Sequence, residues 1–140
     1  HLGIVPHFVD YDNAVNKFSH EQNIKIINVR QSPKKVAEAI RSCDNIASSS
    51  LHGLIFADSF RIPNIHLRFG DLLFGGLHKF EDYYKGMETE NQVLDFNDKV
   101  DVSKIIDHCR LRYSSEYLKS RQSQLVKIIK SELLEISQKQ

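Results

Sequence analysis

Cysteine is scarce in this 140-residue chain, which contains only Cys43 and Cys109. Two thiols cannot build a disulfide framework, and their separation excludes the CxxC spacing of a zinc or redox site, which leaves two buried, reduced cysteines. Long apolar runs are missing as well. The best stretches, Leu51–Asp58 and Leu72–Leu77, fall well short of the ~20 residues a spanning helix needs, and no charged-then-apolar leader opens the chain. Neither sign of charge dominates: 19 Lys and Arg against 18 Asp and Glu leave a formal charge of +1. No global field therefore gathers nucleic acid or an anionic membrane, and any anion site must be local. These absences point to the cytoplasm, with no transmembrane segment and no nucleic-acid partner. Methionine occurs once, at Met87, and the chain opens on His1, so the expectation is a fragment of a longer polypeptide.

What is present reads as a single folded domain over residues 1–140. Apolar residues at 41% and charged residues at 26% sit at globular averages, and a chain of this length buries about two-thirds of its unfolded surface. Short β-rich runs alternate with helix-like stretches, the pattern of βαβ units and a parallel sheet. Strands are expected at Gly3–Val9, Ile24–Arg30, Asn45–Ser48 and Pro63–Phe69. Between them fall helices at Asn13–Gln22, from Ser32 with Pro33 in its first turn to Ser42, and at Leu51–Phe60, the second carrying the clearest cap chemistry. Gly70, Gly75 and Gly76 then predict a glycine-hinged loop leading to a short helix at Lys79–Lys85, and an edge strand is expected at Gln92–Phe96. A helix over Val102–Leu111 follows, started by Asp101 or Ser103. A long one then runs from Ser114 or Ser115 to Ile136, with Leu118, Leu125, Ile129, Leu133 and Ile136 at helical spacing. That last helix either packs on its own sheet or docks on another lobe, in which case the isolated chain exposes apolar surface.

The most informative run is Ser48-Ser49-Ser50-Leu51-His52-Gly53-Leu54, placed where a strand ends and a helix begins. In open parallel sheets ligands bind at the carboxyl ends of the strands, and free N–H groups at the following helix start attract anions. Serine hydroxyls add donors, Gly53 lets a ligand approach the backbone, and His52 falls in the first helical turn. A plainer reading makes Ser49 or Ser50 a simple N-cap and His52 a surface residue. The run is neither a GxSxG elbow nor a Walker loop. His7 ends the first strand and shares the same sheet edge if the strands are parallel. Lys79, just after the glycine-rich loop, can reach an anionic ligand from the run Lys79-Phe80-Glu81-Asp82-Tyr83-Tyr84. The other histidines show no metal-ligand spacing.

Three blocks, VPHFVD (5–10), CDNIASSSLHGLIFADSFRIPN (43–64) and KFEDYY (79–84), together resemble the carboxy-terminal part of the polysaccharide pyruvyl transferase family. The resemblance implies a two-lobed fold like that of GT-B glycosyltransferases, with this chain as the carboxy-terminal, Rossmann-like lobe ending in the long helix. It also implies transfer of a pyruvyl group from phosphoenolpyruvate, as donor substrate and not as cofactor, to a sugar of a cell-surface polysaccharide or its precursor; no cofactor is expected, and no metal requirement is visible in these residues. The family's serine-leucine-histidine block falls on Ser49, Ser50, Leu51, His52 and Gly53. His52 is then the expected catalytic residue, as general acid or phosphate ligand. Ser49, Ser50, Leu51 and Gly53 would bind substrate, and His7 and Lys79 would complete the pocket. The implied partners are phosphoenolpyruvate, a saccharide acceptor and an amino-terminal lobe of the same protein, without which the fragment should be inactive. A peripheral place at the inner face of the membrane is compatible with such an acceptor.

Two other readings compete. A GT-B glycosyltransferase lobe binding a nucleotide-sugar would want a carboxylate for the ribose near a strand end, and none stands beside Ser48–His52. A non-catalytic flavodoxin-like module of the receiver type would want clustered aspartates ending the first strand, whereas Asp10 and Asp12 follow it.

Overall fold

In the computed structural model, residues 1–70, 78–96 and 100–138 are described, with side chains described as far as residue 131. The expected glycine hinge at 75–76 lies outside them. The elements are β1 (Leu2–Val5), α1 (Tyr11–Phe18), β2 (Ile24–Ile26), α2 (Pro33–Arg41), β3 (Asn45–Ser48), α3 (Leu51–Ser59), β4 (Asn64–Arg68), α4 (His78–Gly86), β5 (Val93–Asp95), α5 (Val102–His108) and α6 (Ser115–Gln138). The five strands form one sheet in the order β2-β1-β3-β4-β5, and every pairing is parallel. The fold class is therefore α/β with a parallel sheet, flanking helices and a long last helix.

Strand alternation sorts the core onto two faces. Leu2, Ile4, Ala47, Ile65 and Leu67 point one way and bury against Ala14 and Phe18 of α1 and Ile105 of α5. Val5 and Ile46 point the other way, against Val36 and Ile40 of α2 and Ala57 of α3. Right-handed crossovers require this division, because the chain steps from β1 outward to β2 and then back across to β3. Phe80 and Tyr84 of α4 close on Leu54 of α3. Each fully buried Leu, Ile or Phe contributes about 1.5–3 kcal/mol through its lost water contact.

Several elements are shorter than expected, for local reasons. β1 stops at Val5 because Pro6 has no N–H for the ladder, and the chain then turns, with Asp10 N donating to His7 O at 2.9 Å. β2 stops at Ile26, and Asn28 turns the chain by accepting from Arg30 N at 2.9 Å. α5 ends at His108, ahead of the expected Leu111. Its start is as expected: the Asp101 carboxylate accepts from Lys104 N at 2.8 Å. Ser114 performs the same service for α6, accepting from Tyr117 N at 3.1 Å.

Candidate functional site

The chain adds β2 on one side of β1 and β3 on the other, and this reversal of strand order leaves a crevice at the carboxyl ends of β1 and β3, the place where open α/β sheets bind ligands. Three consecutive serines line the β3 side, and their hydroxyls have different partners. Ser48 is fully buried, with Oγ 2.7 Å from Val5 O and 2.8 Å from Ser50 O, and it accepts from Ser50 N at 3.0 Å. It ties the two strand ends together. Ser49 Oγ accepts from His7 N at 2.9 Å and donates to Asp10 Oδ2 at 2.6 Å. Its proton and one lone pair are therefore engaged within the protein. Ser50 is the N-cap of α3 but makes no side-chain cap bond. Among the described residues, the N–H groups of Leu51, His52 and Gly53, in the first turn, consequently have neither an intrahelical carbonyl nor a capping hydroxyl.

Beside this helix start lies a cavity of about 420 Å³ whose lining includes His7, Phe8, Val29, Val36, Ser50 and His52. The volume falls in the range of small-molecule sites, ~300–1,000 Å³. His52 is exposed and His7 half-buried. Burial pushes the His7 pKa below its ordinary value, the Lys79 ammonium lowers it further, and the Asp10 carboxylate opposes both. His7 is thus held toward the neutral form, with a ring nitrogen able to accept a proton. Lys79, half-buried in the first turn of α4 and 5.5 Å from the centre of the Phe80 ring, lies within electrostatic reach of it. Of the expected site residues, His7, Ser50, His52 and Gly53 line this one cavity, whereas Lys79 is not among its lining residues.

Two expected site residues face packing. The Leu51 side chain joins the cluster of Leu54, Phe80 and Tyr84, so only its backbone N–H faces the helix start. Gly53 is buried, and a Cβ built on it would lie 2.4 Å from Ser48 Oγ and 2.8 Å from Val5 Cγ1. Close seating of α3 on the sheet accounts for that glycine, in addition to its place in the cavity lining.

A family model described as polysaccharide pyruvyl transferase matches residues 3–71, from β1 through the end of β4. Over that segment the chain is similar to the polysaccharide pyruvyl transferase family. The matched segment holds His7, Asp10, the serine run and His52, and it stops short of Lys79. The chain is also 39% identical over 85 residues to an uncharacterized protein of Acanthamoeba polyphaga mimivirus; the alignment covers 58% of this chain and 30% of the viral protein. It thus spans less than a third of that relative. No solved structure matches.

Within the matched segment, the structure adds two residues that the sequence does not single out. Asp10 occupies the N-cap of α1 yet makes no cap bond, its carboxylate being turned to Ser49. The available signal was an N-cap-type residue three positions after a strand-end histidine. Asp58, buried in α3, accepts from Asn64 Nδ2 at 2.7 Å and Tyr83 OH at 2.9 Å, and lies 3.9 Å from Arg112 Nη1. This second group lies away from the crevice and has no sequence pattern of its own. Among the described residues, no group of three or more His, Cys, Asp or Glu side chains could hold a metal ion.

Proposed function

We propose that this chain supplies the phosphoenolpyruvate site of a polysaccharide pyruvyl transferase, as the carboxy-terminal lobe of a two-lobed, GT-B-like enzyme acting in the cytoplasm on a saccharide acceptor. The observation that carries the reading is the convergence of His7, Ser50 and His52 on one cavity at the start of α3, in the segment that matches the family, with the Lys79 charge acting on His7 from outside that segment. Phosphoenolpyruvate is a compact anion bearing a phosphate and a carboxylate. Free N–H groups at a helix start, a hydroxyl and a lysine are suited to such a ligand.

Ketal formation from phosphoenolpyruvate joins an acceptor hydroxyl oxygen to the enol carbon bearing the phosphate, adds a proton to the methylene carbon and releases inorganic phosphate; a second hydroxyl closes the ring. The protein must deliver that proton and stabilise the departing phosphate. In this reading His52 is the general acid or a phosphate ligand, Ser50 and the α3 N–H groups hold the anion, and His7 and Lys79 complete the pocket. The acceptor sugar contacts fall to the amino-terminal lobe.

The test has two arms. Amide NMR of this 140-residue chain, titrated with phosphoenolpyruvate, inorganic phosphate and a nucleotide-sugar, should give saturable shifts at residues 48–53 selective for phosphoenolpyruvate. Those shifts should be lost in His52→Ala. In the complete enzyme, His52→Ala should lower turnover by about 100-fold or more, the usual contribution of a positioned general acid. Near-normal turnover would remove His52 from the chemistry, and shifts selective for the nucleotide-sugar would favour a glycosyltransferase lobe instead.

A further inference from the structure

The turn carrying His7 is held by a closed set of hydrogen bonds that involves no part of a ligand. Asp10 N donates to His7 O at 2.9 Å, closing residues 7–10 into a turn. His7 N donates to Ser49 Oγ at 2.9 Å, and that hydroxyl in turn donates to Asp10 Oδ2 at 2.6 Å. One serine immediately after β3 therefore grips both ends of the turn that follows β1. The Asp10 backbone carbonyl still opens α1, accepting from Ala14 N at 2.9 Å, but its carboxylate makes no cap bond. An N-cap Asp normally stabilises its helix through a side-chain bond to the first turn. Here the side chain is committed across the crevice. The ring of His7 lies against Phe8 of the same turn at 4.4 Å between centroids, and the bonds to His7 N and O hold the backbone from which the imidazole projects.

We infer that Asp10 and Ser49 are positioning residues that act as a pair, setting where the His7 imidazole stands at the mouth of the cavity. Ser49 contributes by holding the turn and not by binding an anion. Asp10 contributes twice: its oxygen orients the Ser49 hydroxyl, and its charge lies close to an imidazole that Lys79 faces from α4. The importance of His7 for the reaction rests on the phosphoenolpyruvate reading above, whereas the clamp itself does not.

The experiment uses the 140-residue chain and needs no ligand. Hydrogen exchange of the His7 amide and the NMR titration of its imidazole are compared in the parent, Ser49→Ala, Asp10→Ala and Asp10→Asn. Ser49→Ala should speed exchange at His7 by tenfold or more and displace the ring signals, while protection in α2 and β4 stays at the parental level. Asp10→Ala should move the same signals in the same direction. Asp10→Asn keeps an oxygen that accepts from Ser49, so it should restore the amide protection while lowering the His7 titration midpoint, because only the charge is lost. Unchanged exchange and ring signals in Ser49→Ala would overturn the proposal, as would an Asp10→Asn variant indistinguishable from Asp10→Ala. Absence of phosphoenolpyruvate shifts at His7 in the parent, recorded separately, counts against the donor-site reading and leaves the clamp standing.

Discussion

Gly53 has no side chain, and the space one would fill is already taken by Ser48 Oγ and Val5. Gly53→Ala must push α3 off the sheet or displace the hydroxyl that joins β1 to β3, and such overpacking costs about 1–3 kcal/mol. Equilibrium denaturation should show that loss. His66 offers a second test at this scale. It is fully buried in β4, stacked on Phe80 at 4.0 Å with Nδ1 3.2 Å from Asn91 Oδ1, and burial brings its pKa down to about 4. With a folded pKa below the unfolded value near 6.5, the unfolded chain takes up the proton first. The stability due to the neutral ring is complete above pH ~6.5 and is lost progressively down to about pH 4, to a total of about 3 kcal/mol. Denaturant melts across that window should show the slope, and His66→Phe should flatten it. That His7, Ser50 and His52 would share one edge was legible because a strand end, a helix start and a parallel sheet fix it. Asp10 and Asp58 were not, since both owe their roles to partners brought near only by folding, Ser49 for one and Asn64 and Arg112 for the other.

At the scale of elements, the segment entering α6 is pinned to the body of the fold by Arg112. Its guanidinium donates to Asn64 Oδ1 at 2.6 Å, lies 3.9 Å from Asp58 Oδ1 and covers the Tyr84 ring at 5.3 Å. The Arg112 side chain is 6% exposed and that of Asp58 2%, so Arg112→Ala would leave a buried carboxylate without its cation. The expected cost is about 3–5 kcal/mol, measurable by thermal or chemical unfolding. The elements themselves were readable in order and type, because each apolar run matches one period and the caps at Asp101 and Ser114 are local chemistry. Lengths were less readable: Ile27–Arg30 has the β-rich composition of a strand but turns after Ile26 at the outer edge, where no second neighbour extends the pairing. Composition alone does not contain that neighbour information.

For the whole molecule, the parallel sheet was readable from the alternation of strands and helices, whereas the resting place of α6 was not. Leu125, Val126, Ile128 and Ile129 are 58%, 48%, 58% and 49% exposed, so the middle of this helix is not part of the core that the sheet organises. Helical spacing announces an apolar stripe without naming its cover. Leu125→Lys and Ile129→Lys should each change stability by less than about 0.5 kcal/mol, while Leu54→Ala, in the core, should cost about 2–5 kcal/mol; paired denaturation curves would separate the two classes.

The parallel pairing also has a kinetic consequence. A parallel neighbour cannot be reached by a tight hairpin and needs a crossover of a dozen or more residues, so loop closure must precede any ladder bond, and such topologies fold more slowly than helical ones. His7 and Ser49 are 42 positions apart. In a refolding chain that has formed only its local helices, the crevice does not yet exist. Pulse labelling of the His7 amide would therefore time the meeting of β1 with β3, the moment at which the site comes into being.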